Sequence, residues 1–383
     1  MNHLLTYTIY ESVAEIPENW NALAVNNIFL STDYLKVLEN SAPDNMTCFF
    51  IGIFENESLV GIALSQFLDL SKVSSFGERD NCFKTKIRSF VFKRFSSNVL
   101  FLGNNMLTGQ NAFSFKDGFE VANGLPTVKK AITEIRNSLA KKGKNVHLTI
   151  WKDFSESETA DFNPNEFANY YKFSTQPNMV FEIRNNWYSE PDYIADLSKK
   201  YRDQYKRARK KSESVLKRKL SLEEIVHYQT KIHELYLTVA NNAPFNTFYL
   251  NENHFVSLKE SLKDKFSFYG YFDNNELIGF NTLIKNGNDI DTYFLGYDDN
   301  CQREKMLYLN MLYDMVAFSI NKGFREIVLA RTALEIKSSV GAIPVPMFGF
   351  IKHSNPIINK LMPKLFRYFE PETVWKLRNP FKN

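Results

Sequence analysis

Phe266-Ser267-Phe268-Tyr269-Gly270-Tyr271-Phe272, then Asp273-Asn274-Asn275, then Glu276-Leu277-Ile278-Gly279-Phe280-Asn281-Thr282-Leu283-Ile284: this run decides the fold. The aromatic block reads as a strand, the polar triplet as a turn, and the third block as the hairpin partner. A second turn, Lys285-Asn286-Gly287-Asn288-Asp289, leads into a third strand, Ile290 to Tyr297. Beyond it, Leu309, Leu312, Tyr313, Val316, Ala317 and Ile320 recur at three-and-four spacing and predict a helix. Asn321-Lys322-Gly323 stops that helix, a cation followed by a C′ glycine. Ile327-Val328-Leu329-Ala330 resumes as a buried strand. A strand, a helix and a further strand imply a parallel crossover beside the Tyr293 strand.

The chain around this run has 383 residues, enough for two compact domains. Hydrophobic content of 44% and charged content of 23% exclude disordered and collagen-like classes. Aromatics make up 15%, with 34 phenylalanines, which suits aromatic strand cores or an apolar surface for a lipid. Cys48, Cys82 and Cys301 are scattered and form no Cys-x-x-Cys pair, so neither a disulfide framework nor a zinc site is expected. The sequence shows no secretory n-region with an h-region and no apolar run of membrane-spanning length. A cytoplasmic protein is the expectation, with peripheral association at the inner face of the cell membrane. The net charge of +4 is mild, so the clustering of positive charge matters more than its total.

The chain opens with a strand (Leu5 to Tyr10), a helix near Trp20 and a helix capped by Ser31. Cys48 to Phe54 and Ser58 to Leu68 form a hairpin about Glu55-Asn56-Glu57. Asn56-Glu57-Ser58-Leu59-Val60-Gly61 parallels Asn275-Glu276-Leu277-Ile278-Gly279, a weak internal repeat that predicts two similar domains in tandem. Lys84 to Asn98 mixes basic and aromatic residues, as a membrane-interface insert or a loop tucking its phenylalanines inward would. Strands at Val99 to Asn104 and Ala112 to Phe115, a helix from Leu125 to Lys142 and a strand from Val146 to Trp151 complete the first half. The expected domains are residues 1–184 and 185–383. Lys199, Lys200, Arg202, Lys206, Arg207, Arg209, Lys210 and Lys211 crowd the helix that opens the second. Such a run is a solvated face or a surface for an acidic carrier protein, an anionic membrane or tRNA. Few aromatics are interleaved, so single-strand stacking is not indicated and no DNA partner is expected. Asn355 to Asn383 is again amphipathic and basic, an interfacial anchor or a segment packed on the sheet.

Meander, strand, helix, strand and aromatic-rich tail resemble the GNAT acyltransferase fold, and more closely its tandem relatives of the Fem type. Lys200-Tyr201-Arg202-Asp203-Gln204-Tyr205-Lys206-Arg207-Ala208-Arg209 is similar to the basic helix by which Fem-type proteins enter their second domain. The resemblance implies an α/β fold of two GNAT-like domains with mixed, mostly antiparallel sheets flanked by helices. It also implies that the loop after the fourth strand, Asp298 to Lys305, binds the acyl donor through backbone N–H groups and a helix N-terminus. Gln302, Arg303, Lys305 and Asn310 are the donor-binding candidates. The loop lacks the glycines of the family's Gln/Arg-x-x-Gly-x-Gly/Ala pattern, which favours a carrier-protein thioester slightly over coenzyme A. No tightly bound cofactor and no metal is expected.

Acyl transfer to an amine needs a group to take the ammonium proton, donors for the developing oxyanion and a proton for the leaving thiolate. Candidates belong at the carboxyl ends of the parallel strands, where the sheet splays. One is Tyr297-Asp298, with Tyr293 upstream as a substrate contact. The other is Arg331-Thr332-Ala333-Leu334-Glu335-Ile336-Lys337-Ser338-Ser339-Val340-Gly341-Ala342. Buried neighbours would raise Glu335 toward a useful base, and Arg331 or Lys337 would hold a phosphate or sulfonate, with Thr332 and Ser338 beside them. The same run also fits a turn with an ion pair from Glu335 to Lys337 or Arg331. The Arg-Thr-Ala-x-Glu-x-Lys-Ser-x-x-Gly-Ala pattern resembles bacterial GNAT-like proteins of sphingolipid-type synthesis, and the resemblance covers most of the second domain.

The histidines show no metal-box spacing and read as polar surface or helix positions. Asp289-Ile290-Asp291 matches a short metal-glycosyltransferase motif but overlaps a hairpin turn. There is no Gly-x-Ser-x-Gly elbow, P-loop or dinucleotide fingerprint. The leading expectation is an N-acyltransferase moving a long acyl chain from acyl-carrier protein or coenzyme A to a sphingoid or sulfonolipid-type amine. The alternatives are a Fem-type aminoacyl-tRNA-dependent transferase of peptidoglycan synthesis and a non-catalytic, membrane-associated GNAT-like adaptor.

Overall fold

A computed structural model describes residues 4–72, 96–243, 246–369 and 375–382, with side chains omitted for 365–369. Most of the basic-aromatic insert expected over 84–98, and Cys82, lie outside the described residues. The chain divides into two compact units. The first comprises residues 1–175, 245–251 and 346–372, the second 176–244, 252–345 and 373–383. The division therefore falls some ten residues before the expected 184/185 cut and is not a single cut.

In the first unit, β1 (Leu5–Tyr10) pairs antiparallel with β2 (Met46–Glu55), which turns into β3 (Ser58–Asp69). Ser31 caps α1 (Thr32–Ser41), while the segment at Trp20 is a 3-10 turn rather than a full helix. β4 (Asn98–Leu102) and β5 (Phe113–Phe115) both pair with β3. α2 (Val121–Lys141) lays Leu125, Val128, Ile132, Ile135 and Leu139 on the sheet against Ile51, Ile53, Ala63 and Leu100. Each such side chain, fully buried, contributes about 1.5–3 kcal/mol. β6 (Leu148–Phe154) then runs parallel to β4 from Val99↔Leu148 to Leu102↔Trp151.

The second unit takes up the end of β7 (Tyr171–Glu182) and continues through α3 (Glu190–Asp196), the basic helix α4 (Lys199–Lys211) and β8 (Leu216–Lys219). α5 (Leu222–His227) and α6 (Gln229–Asn242) follow, and then α7 (His254–Leu262). The meander is β9 (Phe266–Asp273), β10 (Glu276–Asn286) and β11 (Asp289–Tyr297). Short α8 (Asp299–Lys305) and longer α9 (Leu307–Asn321) come next, then β12 (Glu326–Val328), parallel to β11 as the crossover pattern requires. The strand order is β7-β12-β11-β10-β9-β8. α9 ends as expected at Gly323, whose φ of 70° and N–H to Ile320 O form a left-handed stop. α10 (Leu334–Val340) leads to β13 (Ile343–His353), most of which belongs to the first unit and pairs with β6, and to α11 (Pro356–Phe369).

The internal repeat is structural. Asn56 and Glu57 have φ of 46° and 67°, Asn274 and Asn275 of 48° and 66°, so both hairpins close on the same primed two-residue turn. A register irregularity follows each, at Ile53/Phe54 and at Leu277/Gly279.

Candidate active site

The second unit's parallel pair is short. Ile290↔Ile327 and Asp291↔Val328 are its rungs, and Thr292 Oγ1 donates across to Val328 O at 3.0 Å. Past this point the strands go to different neighbours. Leu329 N–H donates to Met179 O at 2.8 Å and Met179 N–H to Ala330 O at 3.2 Å. On the other side β11 stays with β10. The direct pairing of β11 with β12 is thus confined to two rungs.

A β-bulge sits where the strands part. Between Asn281↔Leu295 and Leu283↔Thr292, β10 advances two residues and β11 three, so β11 carries an extra residue near Tyr293-Phe294. The bulge turns both rings to the face occupied by α6 and α7. Phe294 meets Tyr236, and Tyr293 OH lies 3.0 Å from Nε2 of fully buried His254, the rings 5.8 Å apart. Sequence reading assigned His254 to an ordinary helix position. Nothing local marks it, because its partner is 39 residues away and is aimed by the bulge. Leu295 and Tyr297 face the opposite core, against α9. Burial and then the Asp299 charge raise the Tyr297 pKa, so its phenol stays protonated well into alkaline pH.

After β12 the backbone is strained. Ala330, Thr332 and Ala333 have φ of 58°, 69° and 47°, left-handed without being glycine, at about 1–2 kcal/mol each. Lys337, 5% exposed, reaches back from α10 and donates to Ala330 O at 3.3 Å and Arg331 O at 2.7 Å. Burial lowers its pKa from 10.5 to about 7 and that of Arg331 to about 10. Arg331, Thr332 and Lys337 thus share one braced loop.

Glu335 does not behave as expected. It is exposed and paired with Arg378, at 2.9 Å to Nε, and that guanidinium lowers its pKa instead of raising it. The ion pair is with neither Lys337 nor Arg331. Ser338 Oγ donates to Glu335 O and accepts from Arg378 N–H, which ties down the tail. Asp298 caps α8 by accepting from Asn300 N–H at 2.9 Å. The donor loop is therefore a short helix with an acidic cap, not an open cradle of N–H groups.

The other donor candidates divide. Lys305 pairs with Asp273 at 2.9 Å, which raises its pKa. Asn310, 3% exposed, gives Nδ2 to Ala208 O and Ser212 Oγ, both at 2.9 Å, and holds α4 to α9. Gln302 and exposed Arg303 make no side-chain hydrogen bond among the described residues. Arg209 of the basic helix turns inward, to Asp314 at 2.7 Å and Glu190 at 2.8 Å, while Tyr271 OH donates to Asp314 at 2.9 Å. Lys199, Lys200, Lys206, Arg207, Lys210 and Lys211 stay exposed. In the Asp-x-Asp run, Arg325 grips Asp289 (3.0 and 2.6 Å) and Asn286 holds Asp291 at 3.1 Å, so both serve the hairpin. Among the described residues no group of acidic, histidine or cysteine side chains is arranged to hold a metal ion.

Two GNAT-like halves, each with a meander and a parallel crossover, define the tandem GNAT fold. No family model and no curated protein matches the sequence. Solved structures do. FemX superposes with a TM-score of 0.55 at 9% identity, over 95% of this chain and 100% of that one. The C-terminal domain of a candidate lysylphosphatidylglycerol synthetase from Agrobacterium fabrum gives 0.51 at 8% identity, over 93% and 97%. A tandem GNAT protein from the clavulanic acid biosynthesis pathway gives 0.50 at 10%, over 92% and 99%. The fold is a Fem-type tandem GNAT fold.

Proposed function

We propose that the protein is an N-acyltransferase whose chemistry occurs in the second unit, where β11 and β12 part. The observation that carries this is the two-rung parallel pair opening at a bulge, with a strained, lysine-braced loop on its far side. An acyl thioester enters the gap and the amine approaches from the His254 face. The amine attacks the thioester carbon, a C–N bond forms and the carbonyl becomes an oxyanion. Arg331 stabilises that charge from a site of low polarity. The ammonium proton passes through Tyr293 OH to His254. Collapse of the intermediate breaks the C–S bond, and Tyr297 protonates the thiolate. Gln302 and Arg303 meet the donor's head group.

The donor is an acyl-carrier protein or coenzyme A thioester, and the acceptor a sphingoid or sulfonolipid-type amine. The Arg331–Ala342 pattern supports the acceptor class, and the exposed cations of α4 suit an acidic carrier. On α11, Ile357 and Leu361 are 72% and 44% exposed one turn apart, beside Lys360 and Lys364. That face suits the inner membrane surface. The test is to incubate purified protein with acyl-carrier-protein and acyl-CoA donors and a long-chain amino alcohol. N-acyl product is expected by mass spectrometry; none with either donor sinks the proposal. A second reading, aminoacyl transfer from tRNA, draws on the likeness to FemX and the same α4 cations. Co-purifying tRNA whose binding weakens steeply with salt would favour it.

A further inference from the structure

A separate recess lies in the second unit at the opposite end of the sheet, where β9 begins, the β10–β11 hairpin turns and α9 ends. Its volume is about 370 Å³, within the range of small-ligand sites. Lys219, Lys265, Lys285 and Lys322 line it, with Asp264 the single carboxylate. Leu283 and Phe318 contribute apolar surface, and Lys285 lies 5.9 Å from the Phe324 ring. Among the described residues none of the four lysines is in an ion pair, although the rest of the unit pairs many of its cations. Four positive charges against one negative leave a local excess of three. The C-terminus of α9 opposes this with about half a negative charge, too little to cancel it. Burial, and after it the nearby charge of Lys219, lowers the Lys259 pKa at this end.

We propose that this recess binds a phosphate-bearing head group, the phosphate among the lysines and a short apolar portion against Leu283 and Phe318. Lysine ammonium groups act on phosphate as point charges and need no forked geometry. Such a recess is independent of the acyl-transfer reading, since it takes only Ile290 from the parted strands, at their paired end, and none of the residues assigned to transfer. It gives the protein a second contact for a phosphorylated lipid or a soluble phosphate ester.

Binding of glycerol 1-phosphate to the full chain is measured by calorimetry, and binding to phosphatidylglycerol and phosphatidylcholine vesicles by sedimentation. The double variant Lys285→Gln/Lys322→Gln is compared with Lys36→Gln/Lys116→Gln, which removes the same charge from exposed positions of the first unit. Saturable ester binding is expected, weakened at least tenfold in the first variant and less than twofold in the second. Phosphatidylglycerol binding lost with the same lysines identifies a lipid source, and ester binding without vesicle binding a soluble one. Equal loss in both variants, or no saturation in the wild type, overturns the proposal. Melting temperatures of both variants, expected unchanged because these lysines are exposed, separate lost binding from lost folding.

Discussion

Lys337→Met tests the brace behind the strained loop. Methionine keeps an unbranched side chain one atom shorter and removes both the charge and the hydrogen bonds to Ala330 O and Arg331 O. Two such bonds are worth about 1 kcal/mol each, a loss that does not depend on pH. The charge term does. Burial lowers the pKa from 10.5 to about 7, so between these values the unfolded chain holds a proton that the folded one lacks. Wild-type stability therefore rises with pH through that window and gains nothing from this group below it. At about 1.4 kcal/mol per pH unit, the buried charge costs roughly 4 kcal/mol near pH 7 and roughly 2 at pH 9. Urea unfolding of both proteins from pH 6 to 10, with amide exchange over α10, reads the difference. Wild type should gain roughly 2 kcal/mol on the variant between pH 7 and pH 9. Parallel stability curves would refute the reasoning, because they would mean that the amine titrates normally and is not buried against those carbonyls.

Tyr293→Phe keeps the ring and removes the hydroxyl facing His254. Acyl transfer should fall about 100-fold while the melting temperature moves little, and unchanged kcat would remove this pair from the proton path. Glu335→Gln should leave transfer within twofold of wild type, since the carboxylate is exposed and committed to Arg378; a 100-fold loss would restore its role as base. At Gly341, φ of 115° and a Cβ position 2.5 Å from Phe381 Cζ leave no room for a side chain. Gly341→Ala should cost about 2–3 kcal/mol in urea and hasten proteolysis beside Phe381, and a stable, protease-resistant variant would contradict that packing.

The second-half meander was legible because its signals are local. Asn274-Asn275 asks for a primed turn, the α9 residues repeat at helical spacing, and Gly323 ends the helix where a left-handed residue is needed. β7 and β13 were not legible as strands. Pro177 in one, and Pro344 and Pro346 in the other, argue against a central strand, and both pair with segments far away in sequence. The domain boundary was hidden for the same reason, since β13 follows the second half of the chain but completes the first unit. At the site, Arg331 and Lys337 stood out as charges between apolar flanks. The bulge that pairs Tyr293 with His254 had no signature, because an extra residue shows only once the partner strand's register is known. Glu335 was misjudged because Arg378, its actual partner, lies 43 residues further on.

Both units contain a parallel strand pair, and the reason to place the chemistry in the second lies in what each does beyond its last rung. In the first, β4 and β6 stay in register through Leu102↔Trp151. Lys152 then reaches from β6 to the segment after β4, donating to Asn104 O at 2.9 Å and Leu107 O at 2.8 Å. Its ammonium also meets the carboxylate of Asp153, 0% exposed and left-handed at φ 68°, at 2.5 Å. A buried ammonium therefore stitches that gap shut. In the second unit, Lys337 bonds the carbonyls of the segment that follows β12, and neither bond crosses to β11. A buried lysine thus bridges the two strands beyond their last rung in the first half, and the corresponding lysine of the second half does not. Lys152→Met should accordingly cost about 3–5 kcal/mol, by taking the counter-charge from a buried carboxylate, and lower the first unit's stability. Measured below its melting temperature, the variant should keep wild-type kcat. A folded Lys152→Met protein with kcat reduced 100-fold would move the reaction to the first unit.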